Sequence, residues 1–472
     1  MPHIFEDVNP PEGFQGYIQR WRRELGRLER EHGERTAGAA ATPERIAVDA
    51  GVPLGNNTKL QAAFREAICE NTGEIQGFTL DEGRREYVAN ESDSVAVGRS
   101  RSARYSAQTS ATKLLFNHQT PRETQWRVTG CLRRKISQNV TVLHSHKVNR
   151  SHFGGLMICG SVWTCPTCAA KISERRKLEI QRATTAFKAA GGALYMLTFT
   201  FSHSRHDDLA GLLGRFSKAR TYMREQRAFK ELKEEMGFVG DMRALEITYG
   251  DANGWHPHEH DLWLTTTPLT RVKSRKLVAT LFELWVKACA KAGLALPNRK
   301  RGVDLKEMDS ADEYLAKFGR ESTWGTAAEL TKQHIKKGKA GRSTSFDLLR
   351  MYEAGDKRAG QLFIQFASAF FGKQQIRWSK GLKAMFGVQE ITDEELAKEE
   401  AEDSAIVTEI RGDEWAAVLH QPYDVRSAIL DVAETGGADA VRLYLDRLVA
   451  VEVQRRRTAA NSGTRTAVAP GF

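Results

Sequence analysis

Six cysteines are spread over 472 residues, too few to hold a chain of this size together as a disulfide scaffold. They are therefore expected in a reducing compartment, as metal ligands or inert buried thiols. No stretch approaches the roughly 18 consecutive apolar residues that a membrane-spanning helix needs. The opening MPHIFEDVNPPEGFQGY carries neither the basic segment nor the apolar segment of a secretory leader. A cytoplasmic protein with no membrane partner is expected. Self-similarity at solenoid periods is also missing, which removes repeat architectures.

What remains is an ordinary folding balance, 41% hydrophobic and 27% charged, with 70 Lys and Arg against 59 Asp and Glu for a formal charge of +11. That surplus suggests a polyanionic partner, although a solvated basic surface accounts for the charge equally well. Residues 1–110 read as an accessory region, partly flexible, ending in the polar stretch ESDSVAVGRSRSARYSAQTS. Residues 111–190 hold four of the cysteines. Over 191–325 the pattern is an apolar strand near 193–201, a long amphipathic helix over 207–236 and a strand over 242–249. The turn GDANG, a histidine-rich strand, a helix over 270–291, a short strand near VDLKEM and a further helix follow. That order predicts an α+β fold with a central antiparallel sheet flanked by helices. A basic extension occupies 326–388. The run EITDEELAKEEAED (390–403) then reverses the charge with eight acids against one lysine, so 389–472 read as an acidic linker and a helical C-terminal unit.

The segment GWHPHEHDLW (Gly254–Trp263) carries the strongest chemical signal. On a strand alternate side chains share a face, so His256, His258 and His260 point one way. If the hairpin turns symmetrically about Ala252, Glu246 lies directly across from His258, about 5 Å away on that face. Two imidazoles and a carboxylate make a facial site with open positions for a divalent ion. Mg²⁺ or Mn²⁺ suits a phosphate substrate. Downstream, DSADEYLAKFGRE predicts a helix on which Tyr314, Lys317 and Phe318 share a face. By itself that pattern is more often simple packing.

Three blocks, LTFT (Leu197–Thr200), HPHEH (His256–His260) and YLAKF (Tyr314–Phe318), stand in the order of the three motifs of the HUH endonuclease superfamily. The chain resembles that superfamily's plasmid rolling-circle replication initiators. GKQQIRWSKGLK (Gly372–Lys383) and CGSVWTCPTCAAKI (Cys159–Ile172) are similar to the initiators of actinobacterial plasmids, and the likeness spans roughly residues 125–388. It implies an HUH-type nuclease core with a small zinc-binding module and helical accessory regions, in a bacterial cytoplasm.

The resemblance assigns His258 and His260 as the paired metal ligands; Glu246 joins them by the hairpin register, and His256, next to Pro257, is expected to shape the strand or touch DNA. Glu259 stands where the family usually has a hydrophobic residue, so the back face of the strand is expected to be less than fully buried. Tyr314 takes the place of the nucleophile, with Lys317 offsetting charge, and Phe318 leaves no second hydroxyl on that helix. Termination then falls to water activated by Glu313 or Glu321, to a second subunit, or to another tyrosine. The implied reaction nicks and rejoins single-stranded or hairpin origin DNA through a 5′-phosphotyrosine, with a host helicase and polymerase as partners. The HUH-type transposases and a non-catalytic, zinc-containing DNA-binding regulator are the alternatives.

Cys159, Cys165 and Cys168 have the spacing of a thiolate zinc knuckle. Cys131 is the fourth ligand expected for Zn²⁺, with His144, His146 and His152 as competitors. Similar initiators usually follow that cysteine with glycine, where this chain has Leu132. Cys69 and Cys289 read as buried thiols. Between Leu269 and Arg342 there are 17 Lys and Arg against 8 Asp and Glu, which suits phosphate contacts. Lys336, Lys337 and Arg342 are the candidates there. Arg377, Lys380 and Lys383 around Trp378 add a second basic, aromatic stretch for single-stranded DNA, with a core anchor as the equal reading for the tryptophan.

Overall fold

The computed structural model describes residues 79–81, 86–88, 93–146, 149–308, 342–398 and 403–461, with side chains from 101 to 458. In chain order the elements begin with a short hairpin, β1 (Thr79–Asp81) and β2 (Glu86–Val88), then α1 (Asp93–Leu115), β3 (Val140–Ser145), β4 (Arg150–Gly154) and α2 (Pro166–Ala189). Next come β5 (Ala193–Phe199), α3 (Leu209–Glu225), α4 (Arg227–Glu235), β6 (Phe238–Gly250), β7 (Gly254–Thr265), α5 (Arg271–Ala292) and β8 (Val303–Glu307). The remainder is β9 (Arg342–Ser343), α6 (Ser345–Glu353), α7 (Lys357–Phe370), β10 (Ile376–Trp378), α8 (Leu382–Met385), α9 (Asp393–Lys398), β11 (Ser404–Ile410), α10 (Gly412–Leu419) and α11 (Arg426–Asn461). Mixed helix and antiparallel sheet is the α+β class that the sequence pattern predicts.

These residues divide into two compact units. The first takes in 174–308 and 372–390. Its sheet runs β10-β6-β7-β5-β8, and every neighbouring pair is antiparallel. Alternation sorts the side chains of this sheet into two faces. Even-numbered residues of β5, β6 and β7 form the front face, where Leu194, Met196, Met242, Ala244, Leu262 and Leu264 pack on Ile180, Ala183 and Phe187 of α2 and on Leu382 and Phe386. Odd-numbered residues face the helices α3 to α5 on the back. There Phe199 meets Trp285 edge to face at 5.5 Å and Phe229 meets Trp263 at 5.7 Å. Burying each such ring contributes on the order of 2 kcal/mol.

The helix predicted over 207–236 is broken. Gln226 adopts an extended backbone, ending α3 and starting α4. The buried positions explain the break: α3 buries Leu209, Leu212, Leu213, Phe216, Ala219 and Met223, but the stripe then slips to Phe229 and Leu232. A continuous helix would instead carry Gln226, Arg227 and Lys230 inward.

The second unit takes in described stretches of 53–173, 322–371 and 391–472. Its sheet is β11-β3-β4, antiparallel throughout. Two features differ from the sequence reading. The polar stretch that ends the partly flexible accessory region is the helix α1, and the C-terminal segment read as helical opens with the strand β11. In α1 the buried groups are mainly small or polar, among them Arg101, Gln108, Ser110 and Thr112, so no apolar stripe marks it. Besides Tyr105, Ala107, Ala111 and Leu115, its buried contacts are hydrogen bonds and ion pairs. Arg101 pairs with Asp431 and Glu434, and Gln108 Nε2 donates to the Cys131 carbonyl at 2.5 Å.

Arg426 is the centre of that network. It is 1% exposed and donates to the Leu132 carbonyl at 2.9 Å, to Gln108 Oε1 at 2.6 Å and to Asp424 Oδ1 at 3.0 Å. Burial alone would raise the Asp424 carboxyl, but the Arg426 guanidinium and its hydrogen bonds hold it down at about 2. A folded-state value below the ordinary one of about 3.9 adds stability that is complete above that ordinary value and is lost as pH falls toward the lower one. Asp424→Asn, which strands a buried guanidinium, is expected to cost about 3 kcal/mol at neutral pH. Thermal unfolding followed by circular dichroism should show the gap from wild type closing as pH drops from about 4 toward 2. A gap that stays constant with pH would contradict this account of the pair.

Candidate metal centre and nucleic-acid interface

The β6-β7 hairpin pairs Gly250 with Gly254, Thr248 with His256 and Glu246 with His258, the register that symmetry about Ala252 predicts. Gly254 has φ +74, and a Cβ there would lie 2.7 Å from Arg205 Cα. Only glycine lets the turn close against that loop. Beyond the turn the three histidines stand on the front face, their ring centroids spaced 5.1 and 5.0 Å along the strand.

Glu246, His258 and His260 are brought together and buried, each no more than 9% exposed. Glu246 Oε2 lies 3.0 Å from His258 Nε2 and 3.3 Å from His260 Nε2. The other ring nitrogens are engaged: His258 Nδ1 is 3.4 Å from the His256 carbonyl, and His260 Nδ1 is 2.8 Å from Thr198 Oγ1. A carbonyl and a carboxylate can each only accept, so His258 satisfies both by carrying a proton on each ring nitrogen, or by keeping Nδ1–H while a cation takes the place of the proton between Nε2 and Glu246. Burial pushes Glu246 up, yet the hydrogen bonds and charge of His258 and His260 hold it well below the usual carboxylate range. Its second oxygen, Oε1, is buried with no hydrogen-bond partner among the described residues. One donor atom from each of the three residues lies within 4.8 Å of the others. An orphaned carboxylate oxygen beside two inward-facing Nε2 atoms fits a divalent cation bound on one side, leaving positions open for a substrate oxygen.

His256 lies outside this set. Its Nδ1 is 2.6 Å from Nε2 of His203, and His203 Nδ1 is 2.8 Å from the Asn253 carbonyl. The pair ties the loop after β5 to the hairpin tip.

The back face of the hairpin holds a group that sequence reasoning missed. Arg220 of α3 donates through Nε to Glu259 at 2.8 Å, pairs with Asp261 and lies 4.0 Å over the Phe199 ring. Arg224 donates to Glu259 at 3.0 Å. Glu259, expected to leave this face less than fully buried, instead has a side chain only 15% exposed; Trp255, Asp261 and Trp263 beside it are buried, and α3 covers the acids with counter-charge. Burial pushes the Asp261 carboxyl up to about 7 against the pull of Arg220, while Arg220 and Arg224 overcome burial to hold Glu259 near 2. Two carboxylates sharing one guanidinium cannot both be stabilised equally. Arginines four apart opposite two acids two apart on a strand was the signal available.

Cys131, Cys159, Cys165 and Cys168 form a second buried cluster. Sulfur separations are 3.6 Å for Cys131–Cys168, 3.6 Å for Cys159–Cys168 and 3.7 Å for Cys131–Cys165. A tetrahedral zinc with bonds of about 2.3 Å has edges of about 3.8 Å, so the thiols sit at ligand spacing. The backbone amides of Cys159 and Ser161 point at Cys131 and Cys159 sulfurs at 3.4 Å, as knuckle amides do when they stabilise thiolates. Cys131 therefore joins the set in place of His144, His146 and His152. Leu132 holds φ +51, the left-handed region that favours glycine, and its backbone is pinned through Met157 and Arg426. Cys289 is buried, while Cys69 lies outside the described residues.

Tyr314, Lys317, Lys336 and Lys337 also lie outside the described residues. Arg342 is exposed on β9, and Arg377 and Lys380 are exposed on and after β10. Trp378 packs against the front-face core, as the core-anchor reading has it. Lys383 is 7% exposed, with Glu179 at 3.7 Å and Glu390 at 3.5 Å, so its charge is already taken within the unit. No helix among the described residues is long and apolar enough to cross a membrane.

Comparison with known proteins places these features in context. A family described as "Replication protein" matches residues 156–421, more than half of the chain. It includes the hairpin triad and three of the four clustered cysteines. The chain is 28% identical over 354 residues to "Protein rep" of Streptomyces lividans, a match covering 60% of this chain and 77% of that protein. It is 30% identical over 134 residues to the "Neomycin resistance protein" of Streptomyces cyanogenus, covering 23% of this chain and 31% of that one. No solved structure matches.

Proposed function

The chain belongs to the replication protein family, and on that premise we propose that it starts rolling-circle replication of a plasmid by nicking one strand of the origin and later rejoining it. The single observation that carries this reading is the buried convergence of Glu246, His258 and His260 on one face of the β6-β7 hairpin. A divalent cation, Mg²⁺ or Mn²⁺, held by those three side chains would supply Lewis-acid polarisation of the scissile phosphate.

The chain's own residues do the rest. Tyr314 supplies the nucleophile: its phenolic oxygen bonds to phosphorus as the bond from phosphorus to the 3′-oxygen breaks. The phenol loses its proton, and the departing 3′-oxygen gains one. The products are a 5′-phosphotyrosine and a free 3′-hydroxyl that primes synthesis. Attack by a 3′-hydroxyl on the phosphotyrosine reverses the exchange, so rejoining needs no nucleotide cofactor. An ordinary phenol has a pKa of about 10, and Lys317, three residues along the sequence, offsets charge as the phosphate is attacked. Arg342, Arg377 and Lys380, with Lys336 and Lys337, would hold the strand by its phosphates. Zn²⁺ on Cys131, Cys159, Cys165 and Cys168 has a structural part.

Incubation with labelled single-stranded origin DNA and Mn²⁺ should give an adduct that survives detergent, and Tyr314→Phe should abolish it. Binding without any adduct in the wild type would favour a DNA-binding regulator. An adduct that persists in Tyr314→Phe would put the nucleophile elsewhere.

A further inference from the structure

Thr198 lies on β5 directly across from His260 on β7, and its Oγ1 is 2.8 Å from His260 Nδ1. The same face of β5 is otherwise apolar, with Leu194 and Met196 fully buried in the core, so a hydroxyl at its end is a departure. The two imidazoles of the triad are anchored differently. His258 Nδ1 faces a backbone carbonyl, which can only accept. His260 Nδ1 faces a hydroxyl, and a hydroxyl can accept or donate.

We propose that Thr198 is a positioning residue: its hydroxyl oxygen accepts from Nδ1–H of His260, holds that ring with the Nε2 lone pair turned toward Glu246, and so sets how tightly the three-residue site holds its divalent cation. The inference rests on the metal-site reading above. Chemistry favours this direction of the hydrogen bond. His260 Nε2 lies 3.3 Å from a carboxylate oxygen, and it ligates a cation only if the ring hydrogen is on the other nitrogen. Without the oxygen, the buried Nδ1–H has no acceptor across the strand pair, and the ring gains by flipping or by moving its hydrogen to Nε2, where Glu246 accepts it. Either change removes a ligand. Losses of this kind weaken metal affinity by about 10–100-fold.

Valine keeps the shape of threonine without the oxygen, and serine keeps the oxygen without the methyl. The test uses the full chain, with Mn²⁺ as probe and the free-ion EPR signal as readout, on wild type, Thr198→Val, Thr198→Ser and Glu246→Ala. Thr198→Val should bind Mn²⁺ about 10–100-fold more weakly, and Thr198→Ser should restore affinity to within a few-fold. A second readout is the ring tautomer itself: ¹⁵N spectra of histidine-labelled protein saturated with Mg²⁺ at about pH 8, above the ordinary imidazole pKa of about 6.5. The His260 signal, identified through His260→Gln, should show the hydrogen on Nδ1 in wild type and Thr198→Ser, and on Nε2 or in exchange in Thr198→Val. If Glu246→Ala abolishes binding while Thr198→Val binds as wild type with an unchanged tautomer, the Thr198 inference is overturned alone. If Glu246→Ala also binds as wild type, the metal-site reading fails. Thr198→Ala, compared with Thr198→Ser in the same two measurements, decides the matter should valine perturb the fold.

Discussion

Glu246→Ala is expected to lower single-strand cleavage by a thousandfold or more while the protein still folds. Such a factor corresponds to about 4 kcal/mol of transition-state stabilisation, the scale that Lewis-acid polarisation of a phosphate supplies. Glu246 is the only acid in a cluster with two imidazoles. One of its oxygens faces both Nε2 atoms and the other has no hydrogen-bond partner among the described residues. Removing it takes away a ligand and the negative charge that makes the site attractive to a cation. Losing its contacts to His258 and His260 costs some stability, so the folding control has to show that the substituted protein remains folded at the assay temperature. The measurement is single-turnover cleavage of labelled single-stranded origin DNA over a Mn²⁺ series, with thermal unfolding as the folding control. Full cleavage by a folded Glu246→Ala protein would exclude the triad from catalysis.

Removing the second metal is expected to act on stability first. Cys165→Ser, or treatment of the wild type with a strong chelator, should lower the melting temperature by more than about 10 °C, as structural zinc contributes apparent binding energies on the order of 10 kcal/mol to folding. The cluster joins Cys131 to a knuckle 28 to 37 residues further along. Arg426 and Gln108 bond to the carbonyls beside that first ligand, so losing the ion loosens α1 and α11 as well. Metal analysis should find one zinc per wild-type chain and none in Cys165→Ser, with Cys289→Ser unchanged as control. A zinc-free protein that melts with the wild type would show that the thiols need no ion.

The histidine site was legible because a strand repeats every two residues and GDANG leaves little freedom in register, so Glu246 and His258 could be paired by arithmetic alone. Cys131 was legible from chemistry, since three thiolates call for a fourth ligand. What escaped involves contacts between elements distant in sequence. Thr198 stands in the LTFT block, but its part is invisible until β7 is laid beside it, and Arg220 looks like the polar face of a helix until Glu259 and Asp261 are found opposite. The helix α1 hid behind its composition: it buries polar groups rather than an apolar stripe, and the partners of Arg101 and one of those of Gln108 lie more than 300 residues away. The segment at 372–390 could not be joined by inspection to the unit of 174–308. The β10 pairing that joins it depends on three residues, one of them a tryptophan whose packing is visible only with β6 in place.

The proposed chemistry requires the hairpin triad, a cation and a DNA phosphate to meet at one point. Pulsed EPR of Mn²⁺ bound to the protein tests this most directly, because it reads the nuclei that touch the ion. Nitrogen couplings from two imidazoles are expected, reduced to one in His258→Ala and in His260→Ala, with a phosphorus coupling appearing when single-stranded origin DNA is added. Couplings that ignore both histidine substitutions, or a phosphorus signal that never appears with bound DNA, would contradict the account.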